Sequence, residues 1–400
     1  MFMKILLVNK YWYLRGGAEK VLFTTKKLLE ENGHTVEIFG MQHPENVISN
    51  EFFINNIDYH APGFWKGIRN GLKVIYNKDA RDKFELLVKK FQPDVIHFHN
   101  IYHQLSFSLF DVVKKYNLPV VMTLHDYQLI SPNYNLFSHR KIDESCTKGK
   151  YYKCLLNNCL ENRGFSLVAT ISAYFCKWKN YKSYIKKYIS PSQFLKDKFV
   201  ANGFSEDMII VLGNPVLVKQ NKYQAGKYVT FLGRLAPDKG LEVFLQTAKL
   251  LPARDFKIIG TGPMETKLKQ KVIKDSILNV EFLGFKQGQE LEQLLSGSSL
   301  VVLPSVWYEN CPLAALEAIA NGKLVLASNI GGLPEILPVD LLFKTGEATD
   351  LAERITFWGN QSLEKRTEKS QELKNRILEN YNPEKYLKSL LAVYDEVVKQ

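Results

Sequence analysis

The 400-residue sequence lacks any apolar run of the roughly 18 residues that a membrane-spanning helix requires. Its N-terminal stretch, MFMKILLVNKYW, has an apolar part too short and too strand-like for a secretion signal. We therefore expect a cytoplasmic protein, with peripheral attachment to the inner face of the cell membrane as an open alternative. Apolar residues make up 46% and charged residues 24% of the chain, and this length and composition predict two globular domains.

The sequence is also poor in cysteine, with five residues of this type. An odd number of cysteines in a chain without a secretion signal argues against structural disulfides. The spacing contains no paired C-x2-C knuckle, so the sequence leaves open whether the first four cysteines bind a structural metal or remain free thiols. The five are Cys146, Cys154, Cys159, Cys176 and Cys311.

Acidic residues are scarce in the first half of the chain. Residues 1–200 hold 29 Lys and Arg against 17 Asp and Glu, whereas residues 201–400 hold 24 of each group. The formal net charge of +12 therefore lies in the first half, which suits an anionic membrane surface or a polyphosphate. Nucleic acid would fit the same charge, but no nucleic-acid-binding motif accompanies it, and we expect no such partner.

Two basic segments with interleaved aromatic or apolar residues stand out. In residues 64–75 the apolar residues fall near one helical face beside lysine and arginine, which is typical of an interfacial helix and also of core packing. Residues 177–188, KWKNYKSYIKKY, have five lysines and no acid, a composition that suits a membrane interface as well as a solvated helix.

The alternation of short apolar runs with helical periodicity predicts an α/β fold. A first strand at residues 4–10 leads through Gly16 and Gly17 into a helix from Ala18 to Leu29, the opening of a Rossmann-type half. Strand and helix patterns alternate again through residues 227–383, which predicts a second parallel sheet covered by helices. No G-x-G-x-x-G occurs, so a dinucleotide cofactor is not supported.

The stretch that follows a predicted strand at Leu300 to Leu303 carries a pair of carboxylates. Glu309 lies in a loop, expected at the surface, and Glu317 lies eight residues on, in a helix that Pro312 opens. Free N–H groups at a helix start bind anions, so a phosphate would rest there with a carboxylate on either side. A loop glutamate beside an unrelated solvent-facing helix glutamate is the plainer alternative.

Histidines follow two other predicted strands. His97 and His99 share one face of the strand in PDVIHFHN, and with nearby His103 they would form either a metal site or a set of packed histidines. His125 ends the strand LPVVMTLH, at the sheet edge where ligands bind in open parallel sheets. A hydrogen-bonded core histidine is the alternative for His125.

The carboxylate segment, E-N-x-P-L followed by Gly331-Gly332-Leu333-Pro334-Glu335, resembles the Glu-x7-Glu motif of the GT-B-fold retaining glycosyltransferases of family 4, also called glycosyl transferases group 1. VTFLGRLAPDKG, FKIIGTGP and VEFLGF resemble segments of the same family in the same order, so the resemblance covers nearly the whole chain. It implies a GT-B fold with two Rossmann-like domains facing across a cleft. The implied domains are residues 1–214, joined by the last helix at 384–400, and residues 227–383, with a linker at 215–226.

The resemblance also implies roles for particular residues. Arg234 and Lys239 would bind the donor diphosphate, Glu309 the hydroxyls of the donor sugar and Glu317 the ribose, while His125 would contact the transferred sugar near the reacting carbon. The implied catalytic set is His125, Arg234, Lys239 and Glu309. The implied donor-binding set is Gly16, Gly17, Gly233, Arg234, Lys239, Gly262, Phe285, Glu309, Asn310, Cys311, Pro312, Leu313 and Glu317.

This family transfers a sugar from a nucleoside-diphosphate sugar with retention of anomeric configuration, so the resemblance implies a UDP- or GDP-sugar donor. No Asp-x-Asp occurs in the chain, which favours transfer without a cofactor or a catalytic metal ion. The expected acceptor is a hydroxyl of a glycan or a polyprenyl-diphosphate-linked glycan in cell-surface polysaccharide biosynthesis. A nucleotide-sugar epimerase and a non-catalytic nucleotide-sugar- or membrane-binding protein are the alternatives. The sequence does not specify an oligomeric state.

Overall fold

The computed structural model describes residues 2–58, 64–218 and 223–399. The chain divides into two compact units. Unit 1 comprises residues 1–139, 143–213 and 384–400, and unit 2 comprises residues 140–142 and 214–383. Each unit contains a parallel sheet of six strands, which confirms the predicted α/β class with two Rossmann-like sheets.

The sheet of unit 1 has the strand order β2-β1-β3-β4-β7-β8. Its strands are short and almost entirely buried apart from the outermost ones, as expected for a parallel sheet covered on both faces. The strands are β1 (Lys4–Val8), β2 (Thr35–Phe39), β3 (Val95–Phe98), β4 (Val120–Thr123), β7 (Lys187–Ser190) and β8 (Ile209–Val211), and two short strands, β5 (Phe137–Ser138) and β6 (Lys141–Ile142), lie in the connection after β4.

Eight helices accompany this sheet among the described residues. They are α1 (Gly17–Glu31), α2 (Phe64–Ile75), α3 (Lys78–Phe91), α4 (Leu109–Tyr116), α5 (Tyr152–Leu156), α6 (Arg163–Trp178), α7 (Gln193–Val200) and, from the far end of the chain, α15 (Pro383–Val398). The predicted interfacial helix at residues 64–75 is therefore a helix, but the side chains of Phe64, Trp65 and Lys66 lie outside the described residues.

Helix α15 belongs to the core of unit 1. Its buried residues Leu390 and Val393 pack in one cluster with Ile5 and Leu7 of β1 and with Leu22 of α1. Two tyrosine hydroxyls fix the helix further: one bonds the hydroxyl of Thr25 across 2.9 Å, and the other bonds an imidazole nitrogen described below. The hydrophobic effect and these buried hydrogen bonds therefore hold the end of the chain against its first strand.

The sheet of unit 2 has the order β11-β10-β9-β12-β13-β14. The strands are β9 (Tyr228–Leu232), β10 (Asp255–Ile259), β11 (Val280–Gly284), β12 (Ser298–Leu303), β13 (Val325–Ser328) and β14 (Leu342–Phe343). The helices are α8 (Leu241–Leu250), α9 (Glu265–Lys274), α10 (Gly288–Ser296), α11 (Leu313–Ala320), α12 (Leu333–Ile336), α13 (Ala348–Gly359) and α14 (Leu363–Asn380). This order is that of a dinucleotide-binding Rossmann sheet.

Candidate functional site

The candidate site of unit 2 lies where the strand order reverses. Strand β9 has β10 on one side and β12 on the other, so successive connections leave it in opposite directions. Ligands of open parallel sheets bind at such a reversal, beside the carboxyl ends of the strands. The loops after β9 and β12 carry Arg234, Lys239 and Glu309, and the sheet brings these residues to one edge.

A buried ion pair forms the centre of this edge. The Nζ atom of Lys239 lies 2.6 Å from Oε1 of Glu309, and the Ser305 hydroxyl donates to the same oxygen at 2.6 Å. Glu309 is only 7% exposed, so the expectation of a surface carboxylate is wrong. The Lys239 ammonium also lies 4.7 Å from the ring centroid of Trp307, within range of a cation–π attraction.

The charge state of Glu309 follows from these contacts. Burial alone would raise the pKa of this carboxyl, but the positive charge of Lys239 and the hydrogen bonds from Lys239 and Ser305 outweigh it and lower the pKa. Glu309 is therefore ionised at neutral pH. Lys239 and Ser305 both donate to Oε1 of this carboxylate.

Two glycines hold the backbone of Glu309. The N–H of Gly332 donates to the Glu309 carbonyl at 2.6 Å. Gly331 has φ +64°, and a Cβ atom at this position would lie 2.3 Å from the same carbonyl oxygen. Only glycine fits this conformation and this approach, which gives the Gly331-Gly332 pair of the sequence a physical reason.

The loop after β9 packs against the loop after β10. A Cβ atom at Gly262 would lie 2.5 Å from the Leu235 carbonyl oxygen, and the N–H of Leu235 donates to Thr261 at 2.9 Å. Gly233 has φ +154° at the start of this loop. Arg234, with 60% of its side chain exposed, extends from it with its guanidinium 3.7 Å from Asp238. The loop therefore presents a cation from a rigid backbone.

Helix α11 begins at Leu313, one residue after the predicted start, and Pro312 is its N-cap residue. The N–H of Ala315 donates to the Pro312 carbonyl at 3.0 Å, so the N–H groups of Leu313 and Ala314 precede this first bond of the helix. Glu317 lies half-buried within the helix. The structure thus supplies the helix N-terminus that the sequence predicts as an anion site.

The other predicted residues of unit 2 lie at different depths. Asn310 and Cys311 are buried directly after Glu309, and the Cys311 carbonyl accepts a bond from the Asn214 amide at 3.0 Å. Burial raises the pKa of the Cys311 thiol to about 12, so this sulfur is not a nucleophile at neutral pH. Phe285 follows β11 and is 65% exposed. Among the described contacts, none joins Phe285 to the Lys239–Glu309 pair.

In unit 1 three histidines form a row across β3 and the end of β4. The buried His97 ring bonds the Tyr394 hydroxyl through Nδ1 and the Thr123 hydroxyl through Nε2, both at 2.7 Å. Nδ1 of His99 lies 2.9 Å from Nε2 of His125. The rings of His97 and His99 stand 4.3 Å apart between centroids. His125 is therefore held by His99.

Burial keeps this row neutral. It lowers the pKa of His97 to about 3 and that of His125 to about 4, and it lowers the pKa of His99 well below its ordinary value. His103, predicted to lie nearby, also has its pKa lowered by burial, to about 3. At pH 7 the His125 imidazole can therefore exchange hydrogen bonds with a ligand without contributing charge.

A group of charges near His125 includes two residues that sequence reasoning missed. Lys10 lies two residues after β1, and burial lowers its pKa although Asp126 and Glu19 oppose this shift. Burial raises the pKa of Asp126 to about 6 and also raises that of Glu19. Gly16 and Gly17 are exposed at the start of α1, and the Glu19 side chain is buried in its first turn. The positions of Lys10 and Asp126 within three residues of strand ends were the signal that could have found them.

The expectation of no disulfide is wrong, because Cys154 and Cys159 are bonded. Cys154 lies in α5, and the N–H of Cys159 donates back to the Cys154 carbonyl at 3.0 Å, which brings the two Cα atoms to 4.9 Å. An odd count of cysteines cannot exclude such a local pair. Cys146 lies beside this pair, whereas Cys176 is a separate buried thiol of α6.

The basic segment at residues 177–188 is only partly a surface. Lys177, Trp178 and Lys179 are exposed, but Tyr181 is buried and Lys182 donates to the Leu129 carbonyl. The sequence left a membrane interface and a solvated helix open for this segment, and neither describes its second part, because Tyr181 and Tyr188 are buried.

We predict that unit 1 loses stability in acid because its histidines are buried in the neutral form. A histidine whose folded pKa is depressed contributes stability that is complete above about pH 6.5 and is lost as the pH falls through the folded pKa, here about 3 for His97. Asp126 and Glu19 act oppositely, because burial raises the pKa of both carboxyls; the raised pKa of Asp126 favours folding most below about pH 3.8. The buried histidines outnumber these carboxyls. The denaturant concentration at the midpoint of unfolding should therefore be lower at pH 4.5 than at pH 7.

The test is His97→Gln. Between pH 6 and pH 4.5 the dependence of unfolding free energy on pH should become shallower by about 1.4 kcal/mol per pH unit, the contribution of one proton. His139→Gln, at an exposed position, is the matched control. An equal slope in the two variants would contradict a neutral, buried His97.

We predict that Glu309→Gln destabilises unit 2, because it removes the closer of the two buried carboxylates that pair with the Lys239 ammonium and leaves only Asp238 at 3.7 Å. The expected loss is about 1–3 kcal/mol of unfolding free energy, measured by urea denaturation followed through tryptophan fluorescence. Glu353→Gln, an exposed carboxylate of α13, should change stability by less than about 0.5 kcal/mol. Equal stability of both variants would mean that the ion pair adds nothing to folding.

Comparison with known proteins agrees with this geometry. A family model described as Glycosyltransferase Family 4 matches residues 15–219, and one described as Glycosyl transferases group 1 matches residues 216–379. An uncharacterized 42.6 kDa protein in the cps region of Klebsiella pneumoniae is 27% identical over 84% of this chain and 87% of its own length. A UDP-Gal:α-D-GlcNAc-diphosphoundecaprenol α-1,3-galactosyltransferase of Escherichia coli is 36% identical over 26% of this chain and 28% of its own length.

Among solved structures, HepE of Anabaena in complex with UDP and glucose superposes with a TM-score of 0.66. The match covers 98% of this chain and 100% of that chain at 17% identity, so it supports the fold alone. The family models together span most of the sequence, and their boundary lies at the junction of the two units. The chain therefore belongs to glycosyltransferase family 4 and has the GT-B type of two-domain fold.

Proposed function

We propose that this protein is a retaining glycosyltransferase that moves a hexosyl group from a UDP- or GDP-sugar to a hydroxyl of a polyprenyl-diphosphate-linked glycan in cell-surface polysaccharide biosynthesis. The observation that carries the proposal is the buried Lys239–Glu309 pair at the strand reversal of unit 2, with Arg234 and the start of α11 at the same edge. This arrangement offers cations to a diphosphate and a fixed carboxylate to a sugar.

Departure of the nucleoside diphosphate requires stabilisation of the negative charge that develops on it. Arg234 and Lys239 supply two fixed cations, and the first N–H groups of α11 add a partial positive charge. These groups need no catalytic metal ion, in keeping with the absence of Asp-x-Asp from the sequence. In this proposal Oε2 of Glu309 accepts hydrogen bonds from the sugar, and Glu317 binds the ribose.

Within unit 1, the proposal assigns His125 to the transferred sugar. Its imidazole is neutral at pH 7 and fixed by His99, so it can bond a sugar hydroxyl with a defined orientation. No side chain is assigned as a covalent nucleophile. Front-side attack by the acceptor hydroxyl, with the leaving phosphate taking its proton, would retain the anomeric configuration.

The acceptor assignment rests on two supports. The Escherichia coli relative acts, by its name, on a diphosphoundecaprenol-linked sugar, and the Klebsiella relative lies in a cps region. The other support is a surface of unit 1. Helix α6 packs against α2 and α5, and the three helices contain basic residues but no acidic residue. Among their described residues, Leu156 and Trp178 are 74% and 75% exposed.

This basic and apolar surface suits a membrane with anionic lipid on the cytoplasmic side, where such an acceptor would be held. No helix in the described part of the chain combines the length and the apolar character needed to cross a bilayer. The proposal therefore places the protein on the membrane surface through α5 and α6.

The first experiment tests the reaction. The protein is incubated with UDP- and GDP-hexoses and undecaprenyl-diphosphate-linked N-acetylglucosamine, with and without EDTA, and nucleoside diphosphate release is measured. We expect release that depends on acceptor, persists in EDTA, and falls about 100-fold or more in Glu309→Gln but not in Glu353→Gln. The anomeric proton coupling of the product should match that of the donor.

Several outcomes would contradict this proposal. Isomerisation of the donor without acceptor would identify an epimerase, and loss of activity in EDTA would contradict the metal-independent mechanism. An inverted anomeric centre would exclude retention. Failure of UDP, GDP and their sugars to raise the melting temperature, where a ligand at about 100 times its Kd adds about 2.7 kcal/mol, would favour a non-catalytic protein.

We also predict that Leu156→Ser with Trp178→Ser weakens binding to phosphatidylglycerol-containing vesicles by about tenfold or more, since each side chain loses about 1.5–3 kcal/mol of apolar burial. Vesicle co-sedimentation measures this. Leu278→Ser is the matched control, because Leu278 is 95% exposed in unit 2. Equal loss in the control, or no loss in the double variant, would remove α5 and α6 from the membrane contact.

A further inference from the structure

The connection between β4 and α6 contains a cluster of three cysteines that the proposed sugar transfer does not use. Cys146, Cys154 and Cys159 are at most 2% exposed, and their sulfur atoms all lie within 4.8 Å of one another. In the described part of the chain they are the one group of three or more His, Cys, Asp or Glu residues whose ligand atoms converge in this way.

The cysteines form a small hydrophobic cluster of their own within this segment. Its own buried core consists of the three cysteines with Leu160 packed against them. Leu155 and Leu156, its other leucines near the cluster, are exposed, and residues such as Leu136, Lys148 and Asn158 have positive φ angles. A covalent or metal cross-link is a common way to stabilise a loop-rich segment whose local cluster is this small.

We propose that in the reduced protein Cys146, Cys154 and Cys159 bind one zinc ion as thiolates. Three buried sulfurs with no carboxylate among them favour a soft or borderline cation over magnesium or calcium. Thiolates around one tetrahedral zinc stand about 3.8 Å apart, given Zn–S bonds of about 2.3 Å. All three sulfurs lie within 4.8 Å of one another, and two of them are joined in the Cys154–Cys159 disulfide. Once that bond is reduced, the two sulfurs can separate to the thiolate spacing and the site assembles.

A hydroxyl stands beside the sulfur set. The Oγ atom of Ser131 lies 3.2 Å from Sγ of Cys146, is completely buried, and accepts the N–H of Asn133 at 3.1 Å. The side chain of Asn133 in turn donates to the Cys159 carbonyl at 3.4 Å. These bonds hold the Ser131 turn beside the cysteines. The fourth ligand of the proposed zinc is therefore the Ser131 hydroxyl or a water molecule next to it.

The Cys154–Cys159 disulfide is the metal-free, oxidised form of the same site. A phosphine reductant converts it to two thiols: the phosphine supplies two electrons and becomes its oxide, while one water gives the oxygen and both thiol hydrogens. Zinc then binds with release of the thiol protons. Cys176 lies outside the cluster and takes no part.

The test measures metal in the full-length protein, purified with a phosphine reductant and supplied with zinc sulfate. Plasma mass spectrometry should find about one zinc per chain in the parent and at least a tenfold lower content in Cys146→Ser. Cys176→Ala, which removes a buried thiol outside the cluster, should keep the parent's zinc content. When cobalt replaces zinc, the parent should show the intense thiolate-to-metal charge-transfer absorption, and Cys146→Ser should not.

A gain-of-function variant keeps the test decisive if Cys146→Ser folds poorly. Ser131→Cys places a fourth sulfur next to Cys146 and should slow zinc loss to a chromogenic chelator by tenfold or more. Reduced, folded parent protein with less than a tenth of a zinc per chain and no cobalt charge-transfer band would overturn the proposal. Equal zinc in Cys146→Ser and the parent would do so as well. These readouts do not depend on sugar transfer.

Discussion

A carboxylate that is almost fully buried can stay charged only when a cation compensates for its lost hydration. Glu309 meets this condition through Lys239 and Ser305, and the requirement organises the surrounding loops of unit 2. The loop after β9 must bring Lys239 to the end of β12, and the Gly331-Gly332 turn must hold the Glu309 backbone. The same compact arrangement leaves Arg234 on the exposed side of the loop. Charge compensation thus links the stability of this edge to its capacity to bind an anion.

Unit 1 also buries polar groups, and its row of histidines is buried without charge. Burial keeps these imidazoles neutral, and hydrogen bonds from His97 to Tyr394 and Thr123 and between His99 and His125 satisfy them in that form. Nε2 of His99 has no hydrogen-bond partner among the described residues. An unpaired nitrogen at this depth costs stability, and it lies next to the histidine that we assign to the donor sugar. Buried polar atoms without a hydrogen-bond partner in the free protein are common at functional sites.

The sequence was sufficient for the two parallel sheets, because strand periodicity and strand ends are local patterns. The Glu309 segment was recognised after a predicted strand, whereas Arg234 and Lys239 were singled out through the family resemblance, which also gave all three their expected roles. The sequence could not show how deeply a side chain is buried or which distant residue it contacts. Glu309 was expected at the surface because its counter-ion lies far away in the sequence, and Lys182 was taken for a surface cation. The Cys154–Cys159 bond depends on a local turn, which the number of cysteines in the sequence does not reveal. Lys10 and Asp126 were missed because burial is what distinguishes them from ordinary charged residues.

The position of helix α15 has a consequence for the order in which this protein is made. Unit 1 begins with the first strand, yet its core includes Leu390, Val393 and Tyr394, which are synthesised after nearly all of unit 2. During translation the sheet of unit 1 therefore exposes the groove that α15 fills, and His97 lacks its hydroxyl partner, until residue 394 has left the ribosome. All strands and helices of unit 2 have been synthesised before α15 is. The N-terminal unit is thus the last to be completed, the reverse of the usual N-to-C order of domain folding.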